Sequence, residues 1–238
     1  MTNPLLVLFD IDGTLVDTGG AGKKALIRTF DEVFGIPDAF AGYSFSGTTD
    51  LHILRTAFLR RHGKEPTPEM IHRATVEYLS RLVQEMDKAL KQGAAVVLPG
   101  VLKLLLALKE IGVPLGLATG NLEPGARLKL EPMELWHHFT FGGFGSDFEH
   151  RGELTRLGIT RGVEMHGVPS DLSRIWVVGD SPLDVKAVRY AGARILAVAT
   201  GIHPLNELEQ LHPDAAVTDL SDTPALLALL TSQTSPIS

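Results

Sequence analysis

Short apolar runs recur along the chain, and each is followed by a small or polar residue. This feature restricts the fold of the sequence more than any other. Continuous apolar runs of this length suit strands that are covered on both faces. Helical patterns separate the runs, and strands that alternate with helices form parallel sheets with right-handed crossovers. The runs lie at residues 5–9, 114–118, 175–178, 195–199 and, more weakly, 215–218.

The block between about residues 17 and 95 contains no strand-like run, and its apolar residues recur at helical spacing instead. Three helices are predicted there, around residues 25–34, around residues 51–58 with an end at Gly63, and from Thr67-Pro68 onward. This helical block lies between the first two strands of the predicted sheet. We therefore expect an α/β fold in which a Rossmann-like parallel sheet core carries an inserted all-helical cap domain.

The predicted domain boundaries follow from where the strand pattern stops and where it resumes. The core comprises residues 1–16 and 97–238, and the cap comprises residues 17–96. We expect the hinges between core and cap near residues 17–22 and 93–99, where glycines interrupt the helical pattern.

Three further helices are predicted in the core, after Pro99-Gly100 with an end near Gly112, at residues 151–166 and directly after Ser181. Ser181 is placed as the N-cap, Pro182 at the first helical position and Asp184 at the third, which is a capping-box arrangement. The glycine-rich stretch at residues 141–145 is predicted to form a loop, and the tail at residues 231–238 is expected to fray.

Charge and composition exclude several classes of function. The net charge of −6 argues against nonspecific nucleic-acid binding, which needs a basic surface. The absence of cysteine excludes disulfides, thiolate catalysis and cysteine-bound zinc. The first apolar run has no basic residue before it, so no secretory signal is indicated, and the longest later run is too short to span a membrane. A cytoplasmic protein is expected.

Polar side chains follow the predicted strands where a ligand would bind. Asp10, Asp12, Thr119 and Asp180 all stand at carboxyl ends of strands, and ligands of open parallel sheets bind beyond those ends. Asp10 and Asp12 are two positions apart, so in an extended segment their carboxylates point the same way and repel each other. Clustered carboxylates without cysteine favour a hard cation, Mg²⁺ before zinc, which is usually shared with a substrate phosphate.

Three motifs in this order resemble those of the haloacid dehalogenase superfamily: D-I-D-G-T-L at residues 10–15, T-G-N at 119–121 and G-D-S-P-L-D at 179–184. The resemblance spans the whole chain. It includes a helical cap of the C1 type, inserted just after the first motif. In general type, the chain is similar to phosphoglycolate phosphatases.

The resemblance implies a role for each matching residue. Asp10 would be the nucleophile that forms an aspartyl-phosphate, and Asp12 would be the general acid and base. Asp10, Asp180 and the main-chain carbonyl of Asp12 would bind Mg²⁺, with Asp184 supporting the metal or only capping its helix. Thr119 would hydrogen-bond a phosphoryl oxygen.

Two further groups of residues are expected at the substrate. Main-chain donors at Gly13, Thr14, Gly120 and Asn121 are predicted to line the phosphate pocket. In the cap, Gly47, Thr48 and Thr49 are predicted to contact the leaving group, although Thr49 and Asp50 also match a helix start.

The sequence departs from the family pattern at one position. The family usually supplies a lysine between the second and fourth motifs, but the only lysine between Thr119 and Asp180 is Lys129, which lies early. Arg151 resembles an arginine that replaces this lysine in a subset of these phosphatases, and arginine can grip phosphate through two donors. We expect Arg151 to neutralise the phosphate site, with Lys129 as the alternative.

The resemblance implies a Mg²⁺-dependent phosphatase that acts on a small phosphorylated metabolite, as a monomer or homodimer, without nucleic-acid or membrane partners. Asp12 favours phosphoryl transfer over dehalogenation, because true dehalogenases lack the second Asp. Two alternatives stay open: a phosphomutase of the β-phosphoglucomutase type, and a non-catalytic family member that binds a ligand or protein.

Overall fold

Six parallel strands form one sheet in the computed structural model, which describes residues 5–168 and 171–232. The strand order is β5-β4-β1-β6-β7-β8, so the first strand of the chain lies in the middle of the sheet. The strands are β1 (Leu6–Phe9), β4 (Leu115–Thr119), β5 (Phe141–Phe144), β6 (Ile175–Gly179), β7 (Arg194–Val198) and β8 (Ala215–Val217).

Helices cover both faces of the sheet, which explains why its strands are apolar throughout. Val7 and Phe9 of β1 belong to an apolar cluster with α4, α5 and α9, whereas Leu6 and Leu8 belong to a cluster with α6 and α7. The core helices are α4 (Val101–Glu110), α5 (Glu123–Leu130), α6 (Arg151–His166), α7 (Pro182–Ala191), α8 (Leu205–Glu209) and α9 (Thr223–Thr231).

The predicted helical block is present between β1 and β4 and has its own apolar cluster, which includes Phe30, Phe58 and Tyr78. Its helices are α1 (Ala21–Arg28), which continues as a π-helical turn at Thr29–Val33, α2 (Asp50–His62) and α3 (Pro68–Lys91). Thr49 and Thr67 accept the capping hydrogen bonds of α2 and α3. The prediction of an α/β core with an inserted helical cap is confirmed.

The two chain segments that connect the sheet to the cap helices pair with each other. Strand β2 (Val16–Asp17) runs antiparallel to β3 (Val96–Val97), and the Leu98 N–H donates to the Leu15 carbonyl at 3.0 Å. The boundaries predicted at residues 16/17 and 96/97 fall within this pair. The exact extent of the two domains stays a prediction.

The prediction of a loop at residues 141–145 was wrong, because most of that stretch is the edge strand β5. Helix α6 packs so closely on this strand that a Cβ atom at Gly143 would lie 1.8 Å from the Leu154 carbonyl oxygen. Glycine is therefore present for close backbone approach and not for a turn. Sequence reasoning had only the turn preference of glycine to use.

Two local predictions in the core are confirmed. Helix α6 spans Arg151–His166, and Ser181 and Asp184 form the capping box of α7 by exchanging side-chain and main-chain hydrogen bonds. The tail predicted to fray lies outside the described residues from position 233 onward. Within the described part of the chain, no helix has the length and hydrophobicity that crossing a membrane requires.

Candidate active site

The carboxyl ends of β1, β4 and β6 bring the predicted site residues together. Asp10 follows β1, Thr119 ends β4 and Asp180 follows β6, so residues more than a hundred positions apart meet at one edge of the sheet. A cavity of about 590 Å³ opens there between the sheet and the cap helices. Asp10, Asp12 and Asp180 all line this cavity.

Asp10, Asp180 and Asp184 form a buried acidic cluster, and each offers one carboxylate oxygen within 4.8 Å of the others. Burial raises the pKa of Asp10 to about 6 and that of Asp180 to about 8. The Asp184 carboxylate contributes to both of these shifts, since like charges disfavour ionisation. Three ionised carboxylates in one buried place require positive charge.

Arg151, in the first turn of α6, supplies part of that charge. Its Nη2 atom lies 3.0 Å from Asp10 Oδ2, its Nε donates to Asp184 Oδ1 at 3.0 Å, and its Nη1 donates to the Gly47 carbonyl at 3.0 Å. Burial acts to lower the pKa of Arg151, but Asp10 and Asp184 outweigh it and raise the pKa above its ordinary value. The guanidinium stays charged and joins the acidic cluster to the cap.

A divalent cation fits the acidic cluster. Three carboxylates beside one guanidinium leave two negative charges, and all three donors are the hard oxygens that Mg²⁺ prefers. The backbone closes tightly around Asp180, since a Cβ atom at Gly201 would lie 1.7 Å from its Oδ2. The Thr14 hydroxyl also donates to Asp180 Oδ1 at 3.3 Å, so this carboxylate is held in a fixed orientation.

Asp12 lies in a different environment from Asp10, since its side chain is 43% exposed into the cavity. Lys129 donates to both of its oxygens, at 2.8 and 2.6 Å, and the Asn121 amide donates to Oδ2 at 2.9 Å. Burial acts to raise the pKa of Asp12, but the charge and hydrogen bonds of Lys129 outweigh it and lower the pKa. Each carboxylate thus has its own cation: Arg151 lies against Asp10, and Lys129 lies against Asp12.

Thr119 and Asn121 lie where they were predicted, at the end of β4. Thr119 is fully buried, and its hydroxyl accepts from the Asn121 side-chain amide at 2.8 Å and from its N–H at 3.3 Å. Gly120 and Asn121 line the cavity. The hydroxyl hydrogen of Thr119 is left for another acceptor, so a bond to a phosphoryl oxygen stays a prediction.

Gly13 and Thr14 differ from expectation, because their main-chain donors are already used inside the turn. The Gly13 N–H donates to the Val16 carbonyl at 2.9 Å, and the Thr14 N–H donates to the Ile11 carbonyl at 3.3 Å. Gly13 still lines the cavity. Here the turn satisfies its own backbone, which the sequence pattern did not reveal.

The three residues predicted in the cap loop have different environments. Gly47 and Thr48 line the cavity, as a contact with the leaving group requires. Thr49 is buried and its hydroxyl is committed, since it accepts from the His52 N–H and donates to the Glu149 carbonyl at 3.0 Å. Thr49 therefore connects the cap to the core, and its contact with the leaving group stays a prediction.

Sequence reasoning missed Asp50 as a cavity residue and treated it only as part of a helix start. Asp50 is 6% exposed and lines the cavity. Burial raises its pKa to about 6. The signal was available in the spacing, because Asp50 precedes Ile53, Leu54 and Ala57 on the buried side of α2 and so shares their face.

Comparison with known proteins agrees with this geometry. Residues 7–189 match the family described as haloacid dehalogenase-like hydrolase. The chain is 29% identical over 236 residues to the probable phosphatase IndB of Dickeya dadantii, covering 98% of each chain. It is 29% identical over 230 residues to the phosphoglycolate phosphatase of Agrobacterium fabrum, covering 96% of this chain and 94% of the relative.

Solved structures show the same fold at lower identity. CbbY from Rhodobacter sphaeroides in complex with phosphate superposes with a TM-score of 0.67 at 20% identity, covering 93% of this chain and 96% of CbbY. The ordered motifs, the sheet topology and the family match over residues 7–189 agree with one another. This chain therefore belongs to the haloacid dehalogenase-like hydrolase family.

Proposed function

We propose that the protein is a Mg²⁺-dependent phosphatase that hydrolyses a small phosphate monoester through an aspartyl-phosphate on Asp10. One observation supports this proposal most: two carboxylates at one strand end have opposite surroundings. Asp10 lies within the acidic cluster beside Arg151, whereas Asp12 faces the cavity beside Lys129. Two carboxylates with separate surroundings can take separate roles, and Asp12, whose side chain is 43% exposed, is the one that can reach a leaving oxygen in the cavity.

In the first step, an Asp10 oxygen attacks phosphorus, the bond to the leaving oxygen breaks, and Asp12 protonates that oxygen. A phosphate dianion that enters the cavity brings negative charge next to Asp12 and favours its protonated form. In the second step, a water oxygen attacks the phosphorus of the aspartyl-phosphate while Asp12 takes a proton from that water. The bond between the Asp10 oxygen and phosphorus breaks, which releases inorganic phosphate and restores the Asp10 carboxylate. Arg151 opposes the negative charge of the phosphoryl group in both steps.

Asp10, Asp180 and the main-chain carbonyl of Asp12 would hold Mg²⁺, with Asp184 in support. When bound, the ion would neutralise phosphate charge and polarise a phosphoryl oxygen. Arg151 and the Ser181 N–H and hydroxyl hold Asp184, so its hydrogen bonds serve the capping box as well as the cluster.

Magnesium should stabilise the protein more at high pH than at low pH. The pKa values of Asp10 and Asp180 in the folded chain, about 6 and about 8, exceed the ordinary value of 3.8. Between the ordinary value and these raised values, the folded chain therefore binds more protons than the unfolded chain. Metal-free stability therefore falls as pH rises through this range, while the ionised ligands become available to Mg²⁺. We expect saturating Mg²⁺ to raise Tm by roughly 5 °C at pH 8.5, and by less than half of that at pH 6.

Differential scanning fluorimetry in EDTA and in MgCl₂ measures this difference. Asp180→Asn is the matched variant, since it removes the carboxylate with the higher pKa and should abolish most of the Mg²⁺ shift at pH 8.5. An equal Mg²⁺ shift at both pH values would contradict the assignment of the acidic cluster to the metal.

Phosphate release from a panel of metabolite phosphate esters, with Mg²⁺ supplied, tests the function itself. We expect release of inorganic phosphate from at least one small monoester at more than 100-fold the rate in EDTA. Conversion of a hexose 1-phosphate to its isomer without phosphate release would favour the phosphomutase alternative. No turnover of any ester would favour the non-catalytic alternative.

A further inference from the structure

The cavity continues beyond Asp12 into the cap, where apolar and polar side chains line it together. We call this part the leaving-group chamber, because Asp12 would protonate the leaving oxygen at its entrance. Side chains from α1, α2 and α3 wall it together with the cap loop: Leu26, Phe45, Asp50, Ile53 and Tyr78. A polar group in such a wall is costly unless it meets a partner.

Two polar groups in this chamber lack a full set of partners. The Asp50 Oδ2 atom accepts from the Leu122 N–H at 2.9 Å, and no hydrogen bond to its Oδ1 atom is present in the described part of the chain. The Tyr78 hydroxyl is fully buried and has no hydrogen-bond partner of ordinary geometry among the described residues, and burial together with the neighbouring Asp50 charge raises its pKa. Asp50 lines the cavity, so its carboxylate can meet a ligand there.

The Asp50 carboxylate is held in place by the core. Its own N–H donates to the Gly120 carbonyl at 2.8 Å, and its Oδ2 accepts from the Leu122 N–H. Asp50 is therefore hydrogen-bonded to the main chain on both sides of Asn121. These two bonds fix the direction of the side chain before a substrate arrives. A preorganised carboxylate discriminates between ligands better than a mobile one.

The cations near the chamber offset only part of this charge, because Lys129 acts to lower the pKa of Asp50 but is shared with the Asp12 carboxylate. The Lys129 ammonium has three hydrogens, and it makes three short contacts, two to Asp12 and one to the Asn121 amide oxygen at 2.6 Å. Lys23 lies at the cavity mouth, with its Nζ atom 5.6 Å from the centroid of the Phe45 ring. Lys23 and the cavity-lining Asp17 are both exposed and carry opposite charges. The interior of the chamber is therefore negative.

We propose that Asp50 is a specificity residue that selects phosphate esters whose alcohol carries an ammonium or hydroxyl group and rejects esters whose alcohol carries a carboxylate. This inference rests on the phosphatase function proposed above. It sets the chain apart from the relative in Agrobacterium fabrum, which is named for phosphoglycolate, because a glycolate carboxylate would meet the Asp50 charge.

Three esters with two-carbon alcohols of similar length isolate the effect of charge: O-phosphoethanolamine, 2-hydroxyethyl phosphate and 2-phosphoglycolate. With Mg²⁺ at pH 8, we expect kcat/KM to decrease in that order, with at least a 30-fold ratio between the first and the last. p-Nitrophenyl phosphate, whose alcohol carries neither group, reports the phosphatase function independently.

Asp50→Asn is the decisive variant, since its amide oxygen can still accept from the Leu122 N–H while the charge is removed. We expect the ratio between O-phosphoethanolamine and 2-phosphoglycolate to fall below fivefold. Asp87→Asn removes an exposed cap carboxylate that pairs with Lys91 at 2.8 Å outside the cavity, and it is the matched control, for which the ratio should stay within twofold of wild type.

A wild-type preference for 2-phosphoglycolate would overturn the proposal, and so would an unchanged ratio in Asp50→Asn. Failure to hydrolyse all three esters while p-nitrophenyl phosphate is hydrolysed would also overturn it. If the wild type does not hydrolyse p-nitrophenyl phosphate, the result instead counts against the phosphatase function. If Asp50→Asn does not fold, the wild-type order of the three esters decides.

Discussion

Asp10→Asn should lower kcat for any phosphate ester by at least ~10⁴-fold, because an amide cannot attack phosphorus in place of the carboxylate. The side chain keeps its size and one oxygen for Arg151, whose Nη2 lies 3.0 Å from Asp10 Oδ2 in the native chain. The variant should therefore fold, which circular dichroism and Tm can verify. Release of inorganic phosphate under saturating Mg²⁺ is the measurement.

Two further variants make this result specific to the nucleophile. Asp87→Asn changes an exposed carboxylate that pairs with Lys91 at 2.8 Å outside the cavity, and it should keep kcat within about threefold of wild type. Asp12→Asn should release one equivalent of p-nitrophenol per chain in a burst and then stall, because this alcohol leaves without an acid whereas hydrolysis of the intermediate needs a base. Residual activity of Asp10→Asn within tenfold of wild type would refute the aspartyl-phosphate.

Arg151→Ala should combine a loss of stability with a loss of activity. The change removes the cation that contacts Asp10, Asp184 and the Gly47 carbonyl, and the Arg151 side chain is only 10% exposed. Breaking a buried ion pair from one side costs about 3 kcal/mol or more of unfolding free energy. Because Mg²⁺ can neutralise the same carboxylates, we expect most of this cost in EDTA and less of it in MgCl₂.

The activity of Arg151→Ala should fall by roughly 10³-fold in kcat/KM, since the donors that oppose phosphoryl charge are lost. Arg151→Lys keeps the charge without the planar fork and should recover only part of this loss. Arg161→Ala is the matched control on the same helix, because Arg161 pairs with Asp147 at 2.8 Å, outside the acidic cluster. Near-normal activity of Arg151→Ala would assign charge neutralisation to Lys129 instead.

Much of the core was predictable because its strands are buried on both faces and its acids stand at their ends. Burial on both faces makes β1 and β6 apolar throughout, so their positions could be read directly. The edge strand β5 could not be read in this way, since half of its residues are glycines, and Gly143 is required by its close contact with α6. That contact joins residues that are distant in sequence, and local patterns do not record it.

The candidate site was predictable where one residue type has one use, and less so where several uses compete. The acids at 10, 12, 180 and 184 lie where the motifs placed them. Lys129 was predicted only as the alternative to Arg151 at the phosphate site. It lies soon after Thr119 in sequence, and this position gave no indication that helix α5 would direct its side chain to Asp12. Asp50 resembled a capping residue, so its place in the cavity was missed, although its spacing to Ile53 and Leu54 puts it on the buried face of α2.

The pairing of β2 with β3 places the entry and the exit of the helical block side by side. A segment inserted through two adjacent, hydrogen-bonded strands can be exchanged for another without rethreading the sheet, since the chain returns to the point where it left. We expect a transplant of residues 18–95 into a relative with the same paired strands to fold. Such a chimera would transfer substrate choice between enzymes and leave the chemistry of the recipient in place.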